Sequence, residues 1–296
     1  VLDLGHLGLA GRDVALPGVG SCLIGDRVAS GKEIQRPSDD PSASARLMRH
    51  TDRLRRIEQY QRNSNSARLW ADAGDRTLQS VAYSLGRAKT LAVQAGNDTL
   101  GTEERQALAA DIRAIADEMV SLSNTMVTGR AIFAGTANTA NAYDAAGVYL
   151  GDGAAVTRSI DNGERVEVGL PGPQIFGVSN PGDPLNGSIF EALHQVADSV
   201  EAGNNADVRD GIEAVDAATN RVATAQGRLG AVARQLEVVA DRQTSEELAV
   251  TTSMSTLQDT DVAEAIIRLR SAEASYQATL SATARGMGTS LLDFLR

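Results

Sequence analysis

The chain reads as a mainly α protein, an elongated rod of long antiparallel heptad helices with a small β-rich insert. Three observations lead there. Leu108, Ile112, Ile115, Met119, Leu122 and Met126 alternate at spacings of four and three, the period of a helix-packing seam. Comparable spacing runs through the last third, almost to Arg296. Between them, from Gly129 to about Asn186, Gly, Asn, Asp and Pro become frequent, and the apolar period falls to two, the mark of strands.

Composition narrows the function classes. At 296 residues the chain has room for two or three domains and a real core. Aromatic residues make up only 3% against 42% hydrophobic, much of it Ala, Leu and Val, which suits slim helix–helix packing. A net charge of −10, with Arg interleaved among Asp and Glu, argues against nucleic acid, because phosphate binding needs a positive field. The single cysteine, Cys22, excludes an internal disulfide framework. No stretch reaches the roughly 18 apolar residues of a membrane span, so no membrane insertion is expected. Nor is there the basic, apolar, small-residue order of a cleaved secretory signal. That fits a cytoplasmic protein or one exported without such a signal.

The elements follow in order. Residues 1–28 form an atypical Gly-rich segment with Pro17 in it, expected to be disordered, since an interior Gly costs a helix about 1 kcal/mol and Pro about 3. Residues 29–135 are read as the first part of a helical rod domain. Asp40 is the expected cap of a helix with Pro41 at its first position, where a missing N–H costs nothing. Its stripe runs from Leu47, Leu54 and Ile57 past Trp70 to Ala95, with a kink or break expected at Gly74 and Gly86. Gly96-Asn97-Asp98 ends it, and Thr102 is the expected cap of the next helix, with Glu103 and Glu104 in the first turn.

Residues 136–187 are the expected β-rich outer insert. Asp161-Asn162-Gly163 separates two alternating runs, a strong hairpin signal. Residues 188–258 are read as the returning part of the rod. Ser188 and Glu191 have the spacing of a capping box, Gly203 is an expected stop, and a long helix is expected from about Asp207 to Gln258. Residues 259–296 are read as a C-terminal assembly helix on the order of 50 Å long. Asp261 and Glu264 form a second capping-box candidate, and Val262, Ile266, Leu269, Tyr276, Leu280 and Met287 share one seam.

Signals for an enzyme are weak. His6, His50 and His194 are far apart, with no Cys at metal-ligand spacing. Asp39-Asp40 before Pro41 reads as a turn and helix cap rather than a catalytic pair. Gly31-Lys32 and Gly151-Asp152-Gly153 lack the full spacing of a phosphate loop. No catalytic, cofactor-binding or metal residue is therefore assigned, and no cofactor is expected.

Four stretches resemble the flagellin superfamily and, within it, the hook–filament junction family of the hook-associated protein 3 type. They are residues 29–41, with the signature Arg36-Pro37-Ser38-Asp39-Asp40-Pro41; Gly129 to Thr136; Gly227-Arg228-Leu229-Gly230-Ala231; and Ser290-Leu291-Leu292-Asp293-Phe294-Leu295. Together they reach from about residue 29 to 296, while residues 1–26 do not match, and a misread start, a shifted frame or degeneration is the expectation for them. The resemblance implies a layered, non-enzymatic structural adaptor of the bacterial flagellum, a motility component that joins the hook side to the flagellin filament by coiled-coil self-assembly. The implied partners are further copies of itself in a ring or tier, the adjacent hook-associated junction protein, flagellin and a flagellar export chaperone. The implied location is extracellular, reached by type III export without a cleaved signal peptide.

On this reading Val262, Ile266, Leu269, Tyr276, Leu280, Met287, Leu291, Leu292 and Phe294 are the assembly interface, ordered against neighbouring subunits. The alternatives are a filament-forming flagellin with a reduced outer domain, a hydrolase hidden in the insert, and a coiled-coil binding protein with no flagellar link.

Overall fold

The computed structural model describes residues 25–97, 100–179 and 187–293, with residues 286–293 described by backbone alone. The expectations placed on residues 1–24, including Cys22 and His6, lie outside the described residues. In chain order the elements are α1 (Pro41–Ala95), α2 (Thr102–Ser123), β1 (Met126–Val127), β2 (Arg130–Ala131), β3 (Val156–Asp161), β4 (Glu164–Gly169), α3 (Gly172–Phe176), α4 (Ile189–Ala202), α5 (Asn205–Gln258) and α6 (Val262–Asp293). They fall into two compact units, residues 56–246 and residues 1–55 with 247–296.

In the unit of residues 56–246, α1 passes Gly74 and Gly86 without a break, contrary to the expected kink. Leu78, Val81 and Leu85 between them are fully buried, each contributing roughly 1.5–3 kcal/mol. That outweighs a cost of about 1 kcal/mol per Gly. Gly74 has a packing reason, because a Cβ there would lie 3.0 Å from Leu229 Cδ1. The next helix also differs from expectation at its start. Gly101, not Thr102, is the cap residue, in extended backbone, and Glu104 Oε2 accepts its N–H at 3.0 Å. The carboxylate at the third position supplies a cap contact, so no hydroxyl is needed.

Ile112, Ile115 and Met119 are buried as the seam predicts, whereas Met126 leaves it and lies in β1, 48% exposed. The helix ends because Asn124 turns the chain, its amide donating to Tyr143 O and accepting from Tyr143 N, both at 2.9 Å.

Two antiparallel pairs follow, β1 with β2 and β3 with β4. The first turns through Thr128 (φ 51°) and Gly129 (φ 78°), the left-handed pair that a tight two-residue hairpin requires. The second turns at Asn162-Gly163 as expected, with Gly163 at φ 77°. Val156, Ile160, Val166 and Val168 are buried in the same apolar cluster as Trp70, Leu229 and Leu236 of the helices. The hairpin therefore shares the helical core. Phe133, Tyr143, Phe176 and Phe190 pack together, with ring centroids 5.1–5.9 Å apart.

Ser188 and Glu191 close the expected capping box at 3.2 and 3.3 Å, and Gly203 ends α4 in the left-handed conformation. Among the described residues no helix is long and apolar enough to cross a membrane.

The other unit contains a helical stretch at residues 25–30, the loop to Asp40, α1 to residue 55, α5 from residue 247, and α6. Asp40 caps α1 as expected, its Oδ1 accepting from the N–H groups of Ser42 and Ala43 at 2.9 Å.

Candidate assembly site

The signature Arg36-Pro37-Ser38-Asp39-Asp40-Pro41 is an exposed turn held by its own side chains. Asp39 N donates to Arg36 O at 3.0 Å, with Pro37 second in the turn, the position its fixed φ suits. Asp39 Oδ2 in turn accepts from Gln35 N at 3.1 Å and Arg36 N at 2.8 Å. Backbone donors from Arg36 and Gln35 hold the Asp39 carboxyl below the usual range. Those from Ala43 and the Ser42 hydroxyl do the same for Asp40. Both carboxylates are committed to shaping the chain, which matches the cap reading and leaves neither placed as a general base.

Just before the turn, the chain is pinned to the break between α5 and α6. Glu33 N donates to Gln258 O at 2.7 Å, Thr260 N to Gly31 O at 3.0 Å, and Lys32 pairs antiparallel with Asp259. Thr260 Oγ1 donates to Glu33 Oε2 at 2.9 Å, and Arg27 meets Glu33 at 2.6 Å. Gly31, at φ 68°, lets the backbone reverse into this bridge. Sequence reasoning missed these partners, which lie more than 220 residues apart. The one local clue was the helix stop and restart around Asp259–Asp261. Between turn and helices lies a groove of about 450 Å³, bordered by Ile34, Pro37, Leu47, Met48 and Met254.

Beyond the break, Asp261 Oδ1 caps α6, accepting from Ala263 N at 2.9 Å and Glu264 N at 3.2 Å, while Glu264 pairs with Arg268 at 2.6 Å. Among the seam residues, Val262 is 46% exposed, Ile266 38%, Tyr276 41% and Leu280 53%, and Leu269 is half-buried. Ile267, outside the expected seam, is 69% exposed. The side chains of Met287, Leu291 and Leu292, and Phe294 entirely, lie outside the described residues.

Other chemistry-bearing residues are dispersed. His50 is half-buried on α1 and His194 exposed on α4. Among the described residues no group of His, Cys, Asp and Glu could hold a metal ion. In the insert, Asp152 accepts from the Thr136 hydroxyl and from Ala154 N, which hold its carboxyl low, so it shapes a loop as the Asp39 carboxylate does. The segment Gly129 to Thr136 is likewise structural. It makes the β1–β2 turn and buries Phe133, and Gly135, at φ 71°, sits so close to Asp152 that a Cβ would be 2.2 Å from its Oδ1.

Comparison with known proteins places these features in context. The bacterial flagellin N-terminal helical region matches residues 24–138, and the bacterial flagellin C-terminal helical region matches residues 212–295. The chain is 28% identical over 293 residues to flagellar hook-associated protein 3 of Salmonella typhimurium, covering 92% of each chain. It is 29% identical to a flagellin of Bacillus subtilis, covering 81% of this chain and 80% of the relative. The crystal structure of flagellar hook associated protein-3 from Legionella pneumophila shares the fold, with a TM-score of 0.63, 16% identity, and coverage of 71% of this chain and 98% of that one.

Proposed function

The chain belongs to the flagellin superfamily, and on that premise we propose that it is a non-enzymatic structural adaptor joining the hook side of the flagellum to the flagellin filament. It is homologous to the hook-associated proteins 3 and is a flagellar component. In this reading it self-assembles into a ring or tier through α6, meets the adjacent hook-associated junction protein on one side and flagellin on the other, and is escorted by an export chaperone. It leaves the cell through the flagellar type III channel without a cleaved signal peptide and works outside it.

One observation carries the reading: α6 holds Val262, Ile266, Ile267, Tyr276 and Leu280 between 38% and 69% exposed. Covering the exposed portion of each contributes about 1 kcal/mol, and the set roughly 4–6 kcal/mol. Ordering a loosely held segment costs roughly 2–5 kcal/mol or more. The surplus from this seam alone is at most about 4 kcal/mol, a millimolar affinity. Isolated copies therefore stay apart, and assembly needs several contacts made together. The turn at Arg36–Pro41 and its clip to residues 258–260 fix where α6 begins.

Leu280→Asp tests the proposal. The variant should keep its helix content and lose filament attachment, with flagellin shed into the medium. Attachment at wild-type level would overturn the reading. A second reading, a filament-forming flagellin with a reduced outer domain, draws on the likeness to the flagellin above. Gene deletion separates them, because loss of an adaptor leaves flagellin made and released, whereas loss of a filament protein removes it.

A further inference from the structure

Within the unit of residues 56–246, α5 carries a cation with no counter-charge. Arg221 is half-buried. Its Nη2 donates to Gly187 O at a long 3.3 Å, and its Nε is shut off from solvent without an acceptor among the described residues. No carboxylate among the described residues offsets the charge, and burial alone pulls its pKa down. A sheltered charge left unpaired is costly to a fold. Arg242, further along the same helix, shows the usual solution: it meets Asp161 and Glu164, each at 2.7 Å.

The Arg221 side chain lines a pocket of about 250 Å³, the liquid volume of roughly eight waters. Leu170 and Ala225 give it an apolar wall, and Gln174, Asn220 and Arg228 a polar edge. Arg228 donates Nη1 to Gln174 Oε1 at 2.7 Å and lies 3.8 Å from Glu167. That contact uses the oxygen of Gln174 and leaves its amide N–H groups available. The lining therefore offers cationic and amide donors beside hydrocarbon, and it includes no Asp or Glu. We propose that this pocket binds a small organic carboxylate. The acid group sits on Arg221, within reach of the Asn220 and Gln174 amides, and a short hydrocarbon body lies against Leu170 and Ala225. A planar guanidinium suits the two oxygens of a carboxylate, and Arg228 adds positive potential. The walls come from α5, from Leu170 after β4 and from Gln174 of α3. A bound acid thus ties the insert to the long helix and stabilises the folded unit. The site uses no residue of α6, so it goes beyond the adaptor reading and can fail separately from it.

The same chemistry is carried by a free acid and by an acidic side chain, so the probes are butanoate, acetate and a glutamate blocked at both backbone ends. Each is titrated at constant ionic strength into the full chain with isotope-labelled arginine, and NMR reads the arginine side-chain signals. Butanoate should shift the Arg221 signal saturably, with a dissociation constant on the order of millimolar, and should raise the melting temperature. Acetate, two methylenes shorter, should bind about tenfold more weakly. Arg221→Met removes an uncompensated charge, so it should stay folded and lose the rise in melting temperature with butanoate. Gln174→Glu, at an exposed position, adds a like charge beside the ligand and should weaken binding about tenfold. It tests the site even if Arg221→Met fails to fold. The proposal is overturned if butanoate gives no saturable shift up to about 100 mM, far above the expected millimolar range. An unchanged butanoate response in a folded Arg221→Met or in Gln174→Glu overturns it too. Acetate binding as tightly as butanoate reduces the site to adventitious ion pairing and overturns it. Binding of the blocked glutamate without butanoate would assign the pocket to a protein side chain, against the free acid proposed.

Discussion

Gln243 is where the helices hold the β3–β4 hairpin. A bulge between Ser159 and Asp161 leaves Ile160 outside the regular pairing, and its carbonyl is free to accept from elsewhere. Gln243, 3% exposed on α5, donates Nε2 to Ile160 O at 2.7 Å and to Ser64 Oγ of α1 at 3.3 Å. One amide thus ties the hairpin to both long helices. Gln243→Leu keeps the volume and removes the donor. A buried carbonyl without its partner costs about 1–3 kcal/mol, which for a unit of this size lowers the melting temperature by roughly 2–12 °C. Gln243→Glu should cost more at neutral pH, because it puts a carboxylate oxygen against the carbonyl in a site sheltered from water. It should recover part of the loss in acid, where the protonated carboxyl donates again. Calorimetry with hydrogen exchange at the hairpin amides is the assay. Gln243→Leu melting with the wild type, or Gln243→Glu matching it at pH 7, would refute the reasoning.

Two further predictions concern glycines and pH. Gly86→Ala should stabilise the protein by about 0.5–1 kcal/mol, because an added Cβ there meets nothing within 4 Å of its own chain. Gly211→Ala should destabilise it, because that Cβ would come within 2.4 Å of Val196 Cγ2. Chemical denaturation of both variants reads the opposite signs. Glu164 accepts from Arg242 and Gln235, and these contacts hold its carboxyl below the ordinary value of 4.5. A carboxyl with a lowered folded pKa contributes stability above its unfolded value and loses it as pH falls through the folded one. Stability should therefore decline below pH 4.5, and Glu164→Gln should flatten that part of the curve. An identical acid limb in the variant would contradict the assignment.

Much of this architecture was legible because it is local. The Asp40 cap, the Ser188–Glu191 box, the Gly203 stop and the Asn162-Gly163 turn each depend on residues within a few positions. The seams were legible because burial follows helical period, as Ile112, Ile115 and Met119 show. Long-range compensation was not visible. Nothing near Gly74 in sequence announces Leu229, so a residue admitting a neighbouring helix looked like a kink. The β1–β2 turn was hidden because Thr128 takes a left-handed conformation its residue type rarely adopts. The pairing of residues 31–33 with 258–260 joins distant backbone groups that no side-chain pattern marks. For the seam on α6, the period was readable, but the exposure of Ile267 depends on which way the helix is turned.

The central claim is that the apolar residues of α6 are open in the free molecule and covered by neighbours in the assembled junction. Maleimide labelling of Leu280→Cys, in a Cys22→Ser background, reads this directly. The side chain should react quickly in the purified monomer, where Leu280 is 53% exposed, and at least about tenfold more slowly in intact flagella, where a seated side chain is sheltered. Equal reactivity in both states would contradict the account.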